Sequence, residues 1–459
     1  MDQVLIVSSG MENPKKRDNP VARRQQYLNY GALTLATILD RKGYKVKLIH
    51  GSHEPPQKFV DKLIEKGQLL SCYPLLLSIP SFYALSWAQK FCILVKKYNP
   101  STEIVVGGRW TIDSDIDWIK KKLPLASDVI SGLAEHLIDK IIERNHRKII
   151  SIEASNKAPT FNLNHHLVDD FEKFQPSIEA SRGCGLGCAF CAERDIPLSP
   201  LKDPKLLITH LNEVSSQYKD IVITPYLQSS FFAPNTRWSE KLADAYTKSG
   251  SNVFWRCETR VDTIKPNTIS ALSQAGLKVI DLGMETASER QIIRMKKSKN
   301  PEKYLRSASD LLKACKENGI WVKLNFLLYA GETEQTYLET IHWLDEHRHT
   351  IKGISAGPVV IFGSPNASSS FINEVSTYGA TIVDTTSSER TGIAKIHLSK
   401  EISAKDAEDL SIEASKRYMN KEDYFDLKSF SYYPRDYSLE DFNCDIENTP
   451  TNILPFSQD

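Results

Sequence analysis

Ser181-Arg182-Gly183-Cys184-Gly185-Leu186-Gly187-Cys188-Ala189-Phe190-Cys191 places three of the chain's eight cysteines in a C-x3-C-x2-C run. Three thiolates on one tight loop can hold three irons of a 4Fe-4S cluster. Soft sulfur ligands suit iron–sulfur chemistry, and Gly183, Gly185 and Gly187 let the backbone wrap the metal. The fourth iron is then left without a cysteine. An open iron can bind a small ligand and pass it an electron, which is a catalytic arrangement, whereas an electron carrier closes all four positions. The competing readings are a zinc knuckle and a chance grouping of buried cysteines. Zinc wants a fourth Cys or His at short spacing, and the next ones lie far off, at His210 and Cys257.

The 459 residues leave room for two or three domains with large cores. Lys plus Arg number 58 and Asp plus Glu 57, so no overall field draws the chain to nucleic acid or to an anionic membrane. Met1-Asp2-Gln3 runs straight into Val4–Val7 without the pattern of a signal peptide, and no apolar stretch reaches the span of a bilayer. Cys72, Cys92, Cys257, Cys315 and Cys444 are scattered singly, which suits a reducing compartment better than a disulfide framework. The expectation is a cytoplasmic protein without a membrane partner.

Residues 1–146 alternate short apolar runs (Val4–Val7, Lys45–Ile49, Leu75–Ile79, Glu103–Val106, Asp128–Ile130) with amphipathic segments near Ala32–Lys42, Gln57–Glu65 and Leu85–Lys97. This is the rhythm of a doubly wound, Rossmann-like α/β domain. Small or polar turns follow the strands and line the crevice at their carboxyl ends, where ligands bind in such sheets. The basic stretch Met11–Tyr27, with Lys15, Lys16, Arg17, Arg23 and Arg24, reads as a solvated loop or as a cap contacting a phosphate or carboxylate. Residues 147–175, with His165-His166, read as a linker whose histidines lie at the surface.

Residues 176–365 give six strand and helix repeats: Ser177–Ser181, Ile221–Leu227, Val253–Thr259, Lys278–Gly283, Trp321–Leu328 and Ile354–Phe362, with helices between them. Six repeats predict a partial (β/α)6 TIM barrel, with its chemistry at the carboxyl ends of the strands. Alternation puts Arg256, Glu258 and Arg260 on one face of the third strand and Cys257 on the other. Ionisable side chains pointing into a barrel are costly unless paired or bound to a charged ligand; a structural Glu–Arg pair is the plain alternative. Glu332 sits where the next helix begins, a favourable place for an acid. Residues 366–459 add one amphipathic helix, Ile402–Tyr418, then the aromatics Tyr424, Phe425, Phe430, Tyr432, Tyr433 and Tyr437. They read as a small C-terminal helical and aromatic region packed as a lid on the barrel.

The cysteine spacing, the glycines and Phe190 before the last cysteine resemble the signature of the radical S-adenosylmethionine (radical SAM) enzymes. The resemblance implies that Cys184, Cys188 and Cys191 are the cluster ligands and that Phe190 lies near the adenine. In that family the open iron chelates SAM, and reductive cleavage yields a 5′-deoxyadenosyl radical that takes a hydrogen atom from the substrate. Gln228, Ser229 and Ser230 stand where the family contacts the SAM amino group, although the Gly-Gly-Glu form is missing. Asp281-Leu282-Gly283-Met284-Glu285-Thr286 resembles the Gly-x-Glu-Ser element of cobalamin-linked members. It makes Glu285, with Glu258 and Arg260, a candidate for catalysis and SAM binding. Met295-Lys296 matches a further family element, read as structural.

Leu77 to Ser81, Val105 to Gly108 and Ser131 to Glu135 resemble the turns of the cobalamin-binding domain found in one radical SAM subclass, which makes Ser78, Gly107, Gly108 and Gly132 cofactor contacts. The D-x-H-x-x-G segment that supplies an axial histidine elsewhere is absent, and His50 and His53 do not reproduce it; the fold serves equally as a scaffold without cobalamin. The implied function is cobalamin-dependent C-methylation of a small molecule, with an external electron donor such as flavodoxin or ferredoxin. The alternatives are a cobalamin-free radical dehydration, rearrangement or ring formation in specialised metabolism, and a non-catalytic iron–sulfur sensor or electron-transfer module. A nucleic-acid partner is not expected, since no second cysteine cluster or RNA-binding appendage is apparent.

Overall fold

A computed structural model describes residues 3–11, 19–112, 114–144, 158–449 and 454–456. Lys15, Lys16 and Arg17 of the basic stretch, and the first part of the linker, lie outside the described residues.

Strands β1 (Val4–Ser8), β2 (Val46–His50), β3 (Leu75–Ser78), β4 (Ile104–Gly107) and β5 (Asp128–Val129) pair in parallel in the order β2-β1-β3-β4-β5. Val4 to Val7 form a continuous apolar run because both faces of the sheet are covered. Val4 and Ile6 pack under the helices Tyr30–Arg41 and Ile138–Ile142. Leu5 and Val7 pack against Pro56–Glu65 and Leu85–Tyr98. The order reverses between β1 and β3, so the crevice opens there. Asn29 staples it: its side chain caps the helix by accepting from Ala32 N–H at 3.0 Å and donates to the hydroxyls of Ser8 and Ser78 at 3.0 Å each.

The second sheet takes its strands in sequence order, all parallel: β6 (Ser177–Glu179), β7 (Tyr226–Gln228), β8 (Trp255–Arg260), β9 (Leu277–Glu285), β10 (Trp321–Leu328) and β11 (Gly353–Pro358). With a helix between successive strands, this is the connectivity of a partial barrel. Alternation is clean along β10, where Val322, Leu324, Phe326 and Leu328 are buried and Trp321, Lys323, Asn325 and Leu327 face the opposite, inner side. The predicted strand Ile354–Phe362 is in fact two. Pro358, on the edge strand, has no N–H to extend the ladder. The chain turns away there, and β12 (Val360–Phe362) joins β13 (Thr381–Ile382) and β14 (Ile393–His397) in a separate antiparallel sheet, ordered β12-β14-β13. That sheet meets the helices of the first one: Phe82 stacks on Phe362 at 5.7 Å, and Trp118 Nε1 donates to the Glu389 carbonyl.

The C-terminal region therefore holds a small sheet as well as helices, and its last part meets the second sheet at the amino ends of the strands. Thr224, just before β7, donates to the Phe430 carbonyl; Gln175, just before β6, donates to Ser429; Lys352, just before β11, pairs with Asp423 and Asp426. Tyr424, Tyr433 and Phe442 form an apolar cluster with Val279 and with Val21 from the amino-terminal stretch. These aromatics close the end away from the cysteine loop. Arg24 pairs with Asp445, Gln25 Nε2 donates to the Tyr424 hydroxyl, and Gln26 N–H donates to the Tyr432 carbonyl. Residues 19–30 thus act as a strap from the first sheet to the final helices.

Glu332 lies just before Thr333, the cap of the helix Glu334–Glu346, rather than in its first turn. It is 1% exposed and accepts from Gln291 Nε2, Tyr329 N–H and the Thr336 hydroxyl, while Thr333 caps the helix. Burial pushes its carboxyl up to about 7. The folded state then holds this proton more tightly than the unfolded chain, so the contribution to stability is complete below about pH 4.5 and is lost as pH rises through about 7, by roughly 3 kcal/mol. Urea unfolding of the apoprotein at pH 5.5 and pH 8 is expected to show a smaller difference in Glu332→Gln than in the wild type. An undiminished difference assigns the pH dependence to other groups.

Candidate functional site

The cysteine loop follows β6. Gly183, Gly185 and Gly187 adopt φ of 75°, 69° and 74°, so every second residue turns left-handed and the chain coils upon itself. Cys184 N–H donates to the Ile196 carbonyl and Gly187 N–H to the Arg194 carbonyl, which closes the coil. Cys188 is buried and Cys184 and Cys191 are partly exposed; all three are free thiols. Burial pushes the Cys184 and Cys191 thiols up. Donors approach the sulfurs: Arg260 Nη1 lies 3.4 Å from Cys188 Sγ, and Glu193 N–H lies 3.4 Å from Cys191 Sγ. Cationic and amide donors at sulfur are what an anionic iron–sulfur group requires, so the donor set fits a cluster. Among the described residues, no three His, Cys, Asp or Glu side chains converge as the ligands of a single ion would.

The carboxyl ends of β7 to β9 surround the loop. Arg260 is held bidentately by Asp262 at 2.9 and 2.8 Å and also donates to the Lys297 carbonyl. Glu285 has a φ of 66°, uncommon for a residue with a side chain, and its Oε1 lies 3.3 Å from Lys297 Nζ. That ammonium also donates to the Gly283 carbonyl at 2.8 Å and stands 5.7 Å from the centre of the Phe190 ring. Phe190, Glu285 and Arg260 are thus brought together, with Lys297 at their centre. The sequence marks Met295 and Lys296 as a family element, and the place of Lys297 directly after them is its only signal there.

Ser229 is turned inward, its hydroxyl 2.6 Å from that of Ser181, and Gln228 donates to the Ser177 hydroxyl. Both side chains have internal partners, and Ser230 takes the open position facing Glu193. Glu258 lies on the inner face of β8, open to the lumen. It accepts from the Tyr226 hydroxyl at 3.1 Å, and burial together with nearby Asp281 pushes its carboxyl up. One layer below, Arg256 and Asp281, 1% and 2% exposed, form a two-pronged pair that Lys323 joins at 3.0 Å. Burial alone would raise the Asp281 carboxyl, but the two cations hold it well below the usual range. The ionisable face of β8 is real, and the acid paired with Arg256 comes from β9 rather than from Glu258.

Between the first sheet and the cysteine loop lies a cavity of about 960 Å³. Ser78, Gly107, Gly108 and Gly132 line one side, with Arg182, Gly183 and Glu193 opposite. It runs from the crevice along the apolar face formed by Leu35, Leu76, Val105 and Ile138. Gly108 also has a packing reason: a Cβ there would sit 2.6 Å from the Ile79 carbonyl oxygen. Gly132, at φ 101°, has nothing within 4 Å of where a Cβ would stand, so its backbone is bare toward the open space. His50 reaches the cavity, but its Nε2 accepts Asn29 N–H at 3.0 Å, and burial lowers the imidazole to about 4, leaving it neutral. Two ion pairs bridge the cavity's rim: Arg182 with Glu135 at 2.7 Å and Arg109 with Glu193 at 3.2 Å.

Residues 178–344 match the family model of the radical SAM superfamily. The chain carries a radical SAM domain. The cobalamin-dependent S-adenosylmethionine radical enzyme OxsB, solved with aqua-cobalamin and S-adenosylmethionine bound, is 13% identical with a TM-score of 0.66, over 94% of this chain and 70% of that one. A second OxsB structure, with aqua-cobalamin, gives a TM-score of 0.58 at 15% identity over 75% of this chain but 52% of that one, so the chain spans about half of the length compared there. The radical SAM methyltransferase TsrM from Kitasatospora setae, with tryptophan substrate and a SAM analogue, is 13% identical with a TM-score of 0.57 over 78% of this chain and 73% of that one. No curated protein sequence matches the chain. At these identities the structural likeness establishes the fold: a radical-SAM-like α/β architecture with parallel sheets and additional helical regions. No helix among the described residues is long and apolar enough to cross a membrane.

Proposed function

We propose that this chain is a radical SAM enzyme that holds a 4Fe-4S cluster on Cys184, Cys188 and Cys191 and a corrinoid in the cavity facing the cysteine loop, and that it methylates an unactivated carbon of a small molecule. The observation that carries the reading is the cavity. Its volume of about 960 Å³ is near the upper end for small-molecule sites. It opens where ligands bind in open α/β sheets, continues into an apolar slot, and has the cysteine loop as its far wall. When bound, the cluster supplies the electron that cleaves SAM to a 5′-deoxyadenosyl radical, and the corrinoid supplies the methyl group.

The chain's own residues do the rest. Arg182 with Glu135 and Arg109 with Glu193 fasten the loop to the first sheet across the cavity rim. Arg260 faces the Cys188 sulfur, and Glu285 presents a carboxylate beside Phe190. Glu258, open to the lumen, accepts a hydrogen bond from SAM or substrate.

The test is anaerobic reconstitution with iron and sulfide, with and without hydroxocobalamin, followed by desalting. About four irons and one corrinoid per chain is the expected result. Iron without retained corrinoid makes the first sheet a scaffold and moves the reaction to dehydration, rearrangement or ring formation by the deoxyadenosyl radical alone.

A further inference from the structure

Lys297 is a lysine almost wholly inside the protein, its side chain 2% exposed. A buried ammonium is expensive unless its donors are used, so what it binds is informative. Here it donates to the Gly283 carbonyl and faces Glu285 Oε1 from 3.3 Å. Gly283 lacks a Cβ at the point that the Glu285 carboxylate occupies: a Cβ there would stand 2.9 Å from Oε1. The left-handed backbone at Glu285, the bare Gly283 and the buried ammonium together fold the carboxylate back over its own strand end.

The short segment that carries Lys297 ties down the other parts of the site. Ala189 N–H, inside the cysteine run, donates to the Met295 carbonyl, and Arg260 donates to the Lys297 carbonyl while touching Cys188 Sγ. Lys296 is itself left-handed, with φ of 55°, so the segment makes a tight turn to reach both partners.

We infer that Lys297 is a positioning residue for SAM: it holds the Glu285 carboxylate in the pose that meets the SAM ligand, in register with the cysteine loop. This rests on the proposed radical SAM function and adds to it a residue that does not touch the iron. An ammonium so enclosed acts through Glu285 rather than by contact with solvent or substrate.

The test is a double-mutant cycle read by SAM binding rather than turnover. Wild type, Lys297→Met, Glu285→Gln and the double variant are reconstituted anaerobically, assayed for iron, reduced and titrated with SAM while the cluster's electron paramagnetic resonance spectrum is followed. Lys297→Met is expected to keep wild-type iron content and to need at least about tenfold more SAM for the spectral change, as is typical when a partner that orients a ligating group is lost. The same change made in the Glu285→Gln background is expected to add little, because the two residues act as one unit. Lys297→Arg, which keeps the charge and the donors, is expected to recover part of the affinity.

Several outcomes overturn the inference: Lys297→Met responding at wild-type SAM concentrations, a fully additive double variant, or a loss of iron in Lys297→Met that Lys297→Arg shares, which makes the role structural. A wild-type spectrum that SAM leaves unchanged overturns the proposed function itself, and with it this inference.

Discussion

Cys188→Ala is expected to reduce iron after anaerobic reconstitution from about four per chain to background and to abolish SAM cleavage. Of the three cysteines in the run, Cys188 is the buried one and the one that the Arg260 guanidinium faces. The coil is closed by backbone hydrogen bonds that do not depend on its side chain, so the variant retains the loop and loses only the sulfur. Cys257→Ala and Cys315→Ala are the matched controls. Both thiols are fully buried in the helix-packed core, so these variants should keep their iron and lose on the order of 1 to 2 kcal/mol of stability from the small cavities left. Metal analysis and deoxyadenosine production decide the matter. Wild-type SAM cleavage by reconstituted Cys188→Ala would refute the central assignment.

The second large effect is structural. Asp281 pairs with two cations at once, the buried Arg256 and the part-exposed Lys323, and Arg256 in turn holds the C-terminal segment through the Leu427 carbonyl and the Ser431 hydroxyl. Asp281→Ala leaves Arg256 buried without its anion in the floor of the lumen and is expected to cost about 3 to 5 kcal/mol. Because Arg256 sits between the Tyr226 and Tyr432 rings, the loss should also loosen the final helices from the amino ends of the strands. Hydrogen exchange should accelerate at 421–447 before it does in the first sheet. Asp244→Ala, which breaks an exposed pair with Lys248, is expected to stay within about 1 kcal/mol of wild type. Equal losses in the two variants would mean that the buried network does not support the fold.

The regular elements were legible because their signals are local. The apolar run Val4–Val7 and the strand segment Trp321–Leu328 each lie within one element, and six strand and helix repeats in a row point to a partial barrel. The cysteine loop was legible for the same reason, since its glycines and sulfurs are neighbours in sequence. What stayed hidden depends on register between strands. Nothing near Arg256 marks Asp281 as its partner; that follows only from β8 pairing with β9 so that Glu258 lies opposite Asp281. The inward turn of Ser229 is hidden in the same way, because its partner Ser181 comes from the neighbouring strand end. The small antiparallel sheet escaped notice because β13 has two residues and β12 three, too short for a period to register. The aromatic density after Tyr424 was plain, but density says nothing about which end of a sheet it covers.

The strap at residues 19–30 has a consequence for the order of events during synthesis. Its partners Tyr424 and Asp445 come 399 and 421 residues after Gln25 and Arg24, so at about 5 to 20 residues per second the ribosome delivers them roughly 20 to 80 seconds later. Until then Val21 lacks the aromatic cluster it enters, and Gln25 and Tyr27, which line the cavity, lack their contacts with Tyr424 and Tyr432. The cavity acquires its last wall only when the final helices have been translated, so a nascent or prematurely terminated chain cannot form the complete chamber.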